Sequence, residues 1–256
     1  MQLRSGMHVG DGRRFLRAVL WLLSIVVLPL AGCKAKPAKP AGFADESLMT
    51  HDKSVPFDRF WRKPGVDISR YKTLYVADVN TAYMLKQTDW QKGERKKQIE
   101  QDVQALRVRT RDAIVKAFRE DPKHRFTVVD TPTHAPDALI FEMALIEVVP
   151  SKVTLNALGY APFGVGMTLN ALRTIGNDKS TCAFEARTRD ASTGEILMLA
   201  ADREAEQMAI VDLRGLTWYS HVDGIVKDWA RQFVQVANQK PGQVIKDTAK
   251  FRLQPW

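Results

Sequence analysis

The sequence predicts an α+β fold: a single two-layer sandwich in which two main amphipathic helices cover one face of a mixed or antiparallel sheet. Two stripes of apolar residues at helical spacing supply the helices, one after the first β-rich run and one near the end of the chain. An alternating run, a tight turn and a second run supply a hairpin, and one run apolar on nearly both faces supplies a central strand. The order β-α-β-β-ββ-α suits helices gathered on one side of one sheet.

The first strand is read at Thr73–Val79 (TLYVADV), introduced by Pro64-Gly65 and the polar Asp67-Ile68-Ser69. Glu94–Arg119 is the clearest helix. Ile99, Val103, Leu106, Thr110, Ile114 and Ala117 recur at three- and four-residue spacing, and Asp121-Pro122 stops the helix. Phe126–Val129 reads as a short strand and Ala138–Val149 as the central one. In Ser180–Asp190, Cys182, Phe184, Ala186 and Thr188 face one way, and Glu185, Arg187 and Arg189 face the other. Ala191-Ser192-Thr193-Gly194 turns the chain, and Glu195–Arg203 returns as the hairpin partner. A last helix opens with Ser220 as the expected cap of the amide near Asp223. Its inner stripe is Val222, Ile225, Val226, Trp229, Phe233 and Val236, and Pro241-Gly242 ends it.

Ahead of this domain, Arg4, Arg13, Arg14 and Arg17 precede an apolar core, Ala18 to Leu30, that is short for a bilayer span. The run Leu30-Ala31-Gly32-Cys33 closes it and resembles the lipobox of bacterial lipoproteins. That resemblance implies a lipoprotein signal peptide over residues 1–32, cleavage between Gly32 and Cys33, and acylation of Cys33. The competing reading is an uncleaved membrane anchor, and Met7 is an alternative start. Several acyl chains, at about 0.8 kcal/mol per buried methylene, make an essentially permanent anchor. Lys34 follows the cysteine where an aspartate would hold a lipoprotein in the inner membrane of enteric bacteria. The expected place is therefore the periplasmic face of the outer membrane; the inner membrane and the cell surface are the other placements such an anchor allows.

Residues 33–42 read as a lipidated N-terminus and a Pro/Lys tether, and residues 43–256 as one periplasmic α+β domain. Extended at about 3.1 Å per residue, the tether would hold the domain roughly 25–30 Å from the lipid. Processing removes four arginines and one aspartate, which lowers the net charge from +9 to +6. Such dispersed basicity suits acidic headgroups, cell-wall polymers or a solvated surface, and no nucleic acid partner is expected. With Cys33 acylated, Cys182 has no intramolecular partner, so the domain relies on its core rather than on disulfides.

The catalytic inventory is thin. The five histidines, His8, His51, His124, His134 and His221, share no metal-ligand spacing, and no nucleophile elbow, phosphate loop or zinc-protease signature is present. No metal, no cofactor and no enzyme activity are expected. Asp137 and Glu142 bracket a hydrophobic strand, where a carboxylate can act as a raised-pKa acid but more often pairs with an arginine. Cys182, among apolar neighbours, reads as a small buried hydrophobe. The oddest stretch is Val153–Leu172, which contains no charged residue. Its three glycines, Pro162 and two asparagines argue against a spanning helix. It is a loop or short helix packed on the sheet, a pore-forming insertion, or a surface for a partner or lipid. In the last case Leu155, Leu158, Tyr160, Phe163, Val165, Met167 and Leu169 would make the contact.

Gly42-Phe43, the run Trp61 to Lys72 and the strand TLYVADV resemble a family of Gram-negative lipoproteins known only as a domain of unknown function. The RDASTGEIL hairpin and the terminal Trp229 helix are similar to it too, so the resemblance spans nearly the whole mature chain. It implies no activity. More loosely, the element order is similar to periplasmic lipoprotein domains of the curli-secretion and transporter-auxiliary type, which implies an assembly or transport accessory. The curli-type pore needs two amphipathic hairpins, and Val153–Leu172 offers at most one. The leading expectation is a non-catalytic structural or assembly role in the envelope, with an envelope protein as partner and the membrane reached through the lipid. The alternatives are a transport accessory that binds a lipid or hydrophobic ligand, a subunit of an oligomeric secretion complex, and an envelope hydrolase.

Overall fold

A computed structural model describes residues 36–84, 96–150, 179–207, 219 and 221–247. Among these residues six strands form one sheet: β1 (Arg59–Arg62), β2 (Thr73–Val76), β3 (Thr127–Val129), β4 (Ala138–Val149), β5 (Lys179–Asp190) and β6 (Ile196–Gln207). Their spatial order is β1-β6-β5-β4-β2-β3. The pairs from β1 to β4 are antiparallel, whereas β4, β2 and β3 run parallel. Among the described residues two α-helices, α1 (Lys96–Arg119) and α2 (Val222–Ala237), pack on one face. The α+β sandwich with two helices on a mixed, mostly antiparallel sheet is thus as expected.

The inward side chains of β5 show why the helices dock there. Cys182, Phe184 and Ala186 join the same core as Ile99, Val103, Leu106 and Ile114 of α1 and the whole expected stripe of α2. Phe184 lies at its centre, with ring centroids 4.7 Å from Trp229 and 5.2 Å from Phe233. Edge-on geometry at these distances adds to the burial of each ring. Asp202 faces the same core and accepts from the Trp229 Nε1–H at 2.8 Å and from the Asp58 amide at 3.0 Å. One carboxylate therefore fixes α2 against β6 and the approach to β1.

The structure departs from the sequence reading in several places. β1 was not expected; it is an edge strand only four residues long, with an arginine at each end. β2 ends at Val76 rather than Val79, although Ala77 and Asn80 still donate to β4 carbonyls. At the start of α2 the cap position is held by His221 in helical conformation, with no side-chain capping bond, and Ser220 lies outside the described residues.

The opposite face of the sheet is covered as well. The N-terminal segment runs down it and its alanines and Phe43 pack on Ala144, Ile146 and Ala183, while Ala44 and Met49 pack on Leu199 and Ala201. Residues 36–44 therefore lie on the sheet instead of standing clear of it as an extended spacer. Glu185 holds them. In register it lies between Ala144 of β4 and Ala201 of β6, so small neighbours leave room for a backbone to approach. Its carboxylate accepts the amides of Ala41, Phe43 and Ala44 at 2.6, 2.7 and 2.8 Å. Gly42 has φ +85°, and that left-handed turn lets the amides on either side of it converge on one carboxylate.

Candidate functional site

Between the C-terminal halves of both helices and the sheet lies an apolar cleft of about 190 Å³. Leu139 and Phe141 of β4 and Ala186 and Ala200 of the hairpin form its floor, and Phe118, Phe233 and Val236 form its roof. Space is left because Ala186 and Ala200 are direct cross-strand partners, so two facing floor positions carry only a methyl group. An apolar cavity of about 150 Å³ stays dry and admits a benzene-sized guest, so this one is large enough to hold an apolar group.

The mouth is basic. Arg125 donates to the carbonyls of Tyr71 and Ile68 at 2.7 and 2.6 Å, and its guanidinium lies 4.3 Å from the Phe126 ring centroid. Burial pushes its pKa down, against the attraction of Asp67 and Asp121. Arg62 is exposed, its guanidinium carbon 5.7 Å from the Phe60 centroid. The lining includes arginines but no carboxylate, histidine or cysteine. Such a site can hold an apolar body and offer a cation to an anionic end; it has no group to transfer a proton at neutral pH.

Two buried carboxylates frame this end of the fold. Asp190 accepts from the Tyr71 hydroxyl, Arg70, the Ser192 amide and hydroxyl, and the Thr193 amide. Burial pushes its carboxyl up, but the Ser192 and Tyr71 bonds outweigh that and hold it far below the carboxylate range. Asp121 accepts from the Lys123 and Arg125 amides and from the Asn238 side chain, which ties the end of α1 to the end of α2. Its pKa is lowered for the same reason: those bonds overcome burial.

Most of the residues singled out from sequence fall outside the described part of the chain. Gly32 and Cys33 lie outside the described residues, as do Leu155, Leu158, Tyr160, Phe163, Val165, Met167 and Leu169. The flanks of that stretch, Pro150 and Lys179, follow β4 and open β5, so both depart from one end of the sheet. Glu142 pairs with Arg187 at 2.6 Å and with Arg189 at 2.7 Å; burial raises its pKa, and the arginine bonds bring it below its ordinary value. It is an ion-pair member, not a raised-pKa acid. Cys182 is fully buried, and burial, reinforced by Glu147, pushes its thiol well above the usual range. It is the small hydrophobe expected. Among the described residues, no three metal-ligating side chains converge, and no helix is long and apolar enough to cross a membrane.

Sequence reasoning missed the cleft. Its aromatic walls, Phe57 and Phe60, come from the short edge strand and its approach, and the two floor alanines carry no local signal. Only the hairpin register, which aligns Ala186 with Ala200, could have revealed it.

The model of a family described as protein of unknown function (DUF3313) matches residues 39–233. No curated protein matches the chain. Among solved structures, a PelC dodecamer from Paraburkholderia phytofirmans is similar at 9% identity, with 68% of this chain and 96% of that chain covered and a TM-score of 0.37. The hypothetical protein CT253 from Chlamydia trachomatis is similar at 9% identity, with 66% and 96% covered and a TM-score of 0.37. Lipoprotein GNA1162 from Neisseria meningitidis is similar at 9% identity, with 66% and 99% covered and a TM-score of 0.28. At these scores the likeness carries no argument about what the molecule does.

Proposed function

The chain belongs to the DUF3313 family of proteins of unknown function, and we propose that it is a lipid-anchored envelope protein that works by binding an apolar or amphiphilic ligand rather than by catalysis. The apolar cleft with its basic mouth is the observation that carries this reading. Its volume suits a small ring system or the end of an acyl chain, and Arg62 suits a carboxylate, phosphate or sulfonate at the other end of the guest. The anchor is read from Leu30-Ala31-Gly32-Cys33, and Lys34 supports the outer membrane. An accessory that holds or passes on a hydrophobic molecule fits both that address and an apolar cleft with arginines at its mouth.

The dye anilinonaphthalene sulfonate combines an apolar ring system with an anionic end and tests the site. Bound-dye fluorescence should be present in the wild type, abolished by Ala186→Leu and weakened by Arg62→Ala. Binding that survives Ala186→Leu would move the ligand elsewhere, with Leu155 to Leu169 as the next surface to test. Association with further envelope subunits, the other non-catalytic role, would show in the mass of the intact particle.

A further inference from the structure

The N-terminal strap is bonded along its length: Arg203 Nη1 donates to the Lys36 carbonyl at 3.3 Å, Arg59 Nη2 to the Ala38 carbonyl at 3.2 Å, and Glu185 receives the three amides of Ala41, Phe43 and Ala44. Phe43 is gripped from both sides, with the Arg187 guanidinium 4.5 Å from its centroid and the Tyr83 ring edge-on at 5.8 Å. The strap runs from the level of Arg203 down to Leu199, so its N-terminal end points toward the rim where β4 ends, β5 begins and β6 ends. Val149, Thr181 and Ala205 are register partners at that rim on the strap's side of the sheet.

Cys33 lies three residue steps before Lys36, and a fully extended chain spans at most about 10 Å over them. From Arg203 to the end of β6 is about 13 Å at the usual strand rise. We propose that the strap docks the domain rim-first on the bilayer: the acyl chains of Cys33 enter the membrane beside Val149, Thr181 and Ala205, and the Asp190–Ile196 turn points away. The partner surface is the lipid headgroup layer, which exposed Lys36 and Lys39 face as cations. A twelve-residue strand rises about 40 Å, so the two ends of the sheet differ in depth by far more than a headgroup layer. The mouth of the cleft, with Arg125 beside the start of β3 and Ser69 before β2, lies at the end away from the membrane. The docking rests on acylation of Cys33 but not on the cleft having a ligand.

The test uses full-length acylated protein in vesicles of phosphatidylglycerol and phosphatidylcholine that carry a nitroxide on a fraction of the headgroups. A fluorophore is attached through Ala205→Cys at the rim or Lys123→Cys at the far end; buried Cys182 and acylated Cys33 do not react. Quenching is expected at 205 and not at 123. Glu185→Ala, which frees the strap, should bring the two positions to the same low quenching. An insertion of Gly-Ser repeats between Ala35 and Lys36 keeps the strap bonded, lengthens the leash and should also lower quenching at 205. Equal quenching at both positions in vesicle-bound, acylated wild type overturns the docking while leaving the anchor standing. A wild type without acyl mass that washes off the vesicles as Cys33→Ser does overturns the anchor, and the docking with it.

Discussion

Mild acid should loosen this domain through one imidazole. His221 is buried at the start of α2, with Nε2 3.4 Å from the Thr181 carbonyl. Burial pushes its pKa down from 6.5 to about 4, and the Thr181 carbonyl only partly opposes that. The folded protein therefore holds the ring neutral, while the unfolded chain protonates it near pH 6.5. Between those values the unfolded state binds more protons, so the contribution is complete above pH 6.5 and is lost as pH falls toward 4. At about 1.4 kcal/mol per pH unit, going from pH 7.5 to 5.0 removes about 2 kcal/mol. For a domain of this size that is about 4–8 °C in Tm. Stopping at pH 5.0 avoids Glu142, Asp121 and Asp190, whose lowered pKa values make them lose stability only in stronger acid. Urea unfolding of the wild type and of His221→Gln at both pH values is the assay, because glutamine keeps a donor for Thr181 without titrating. The variant should lose most of the pH dependence. A wild-type loss that persists undiminished in His221→Gln, or an NMR midpoint for His221 near 6.5, would refute the argument.

Other perturbations have equally definite outcomes. Glu185→Ala should expose the Ala41, Phe43 and Ala44 amides to rapid hydrogen exchange while the β4–β5 ladder stays protected, at a stability loss of about 1–3 kcal/mol. Thr110, 1% exposed, has a hydroxyl with no hydrogen-bond partner among the described residues, so Thr110→Val should raise stability by about 1 kcal/mol in thermal melts. Asp190→Ala removes the acceptor of the Tyr71 hydroxyl and of two turn amides and should lower stability by about 3–4 kcal/mol, read by urea unfolding.

Much of the fold was legible because its long elements carry strong periodicity. Ala138–Val149 was placed to the residue, and all six stripe residues of α2 are buried in the core. The alternation of β5 was correct in direction. Yet Glu185, which alternation sends to the outer face, is 1% exposed there, because its backbone donors lie more than 140 residues away in sequence. A pattern can say which way a side chain points but not what will cover it. β1 was invisible for a related reason: Arg59-Phe60-Trp61-Arg62 is only four residues long, does not alternate and carries charge at both ends, as protected edge strands often do. The cleft depends on two alanines meeting across a hairpin, and neither is unusual on its own. Conversely, the expected leader and the expected acylation of Cys33 rest on the sequence pattern alone, and both lie outside the described residues.

An apolar guest held between sheet and helices should travel with the purified domain. Native mass spectrometry of Cys33→Ser protein, released from the envelope and purified without detergent, tests that most directly. An extra amphiphile mass is expected on the Cys33→Ser protein and is absent when that protein also carries Ala186→Leu. An empty chain, or an extra mass that Ala186→Leu retains, would contradict it.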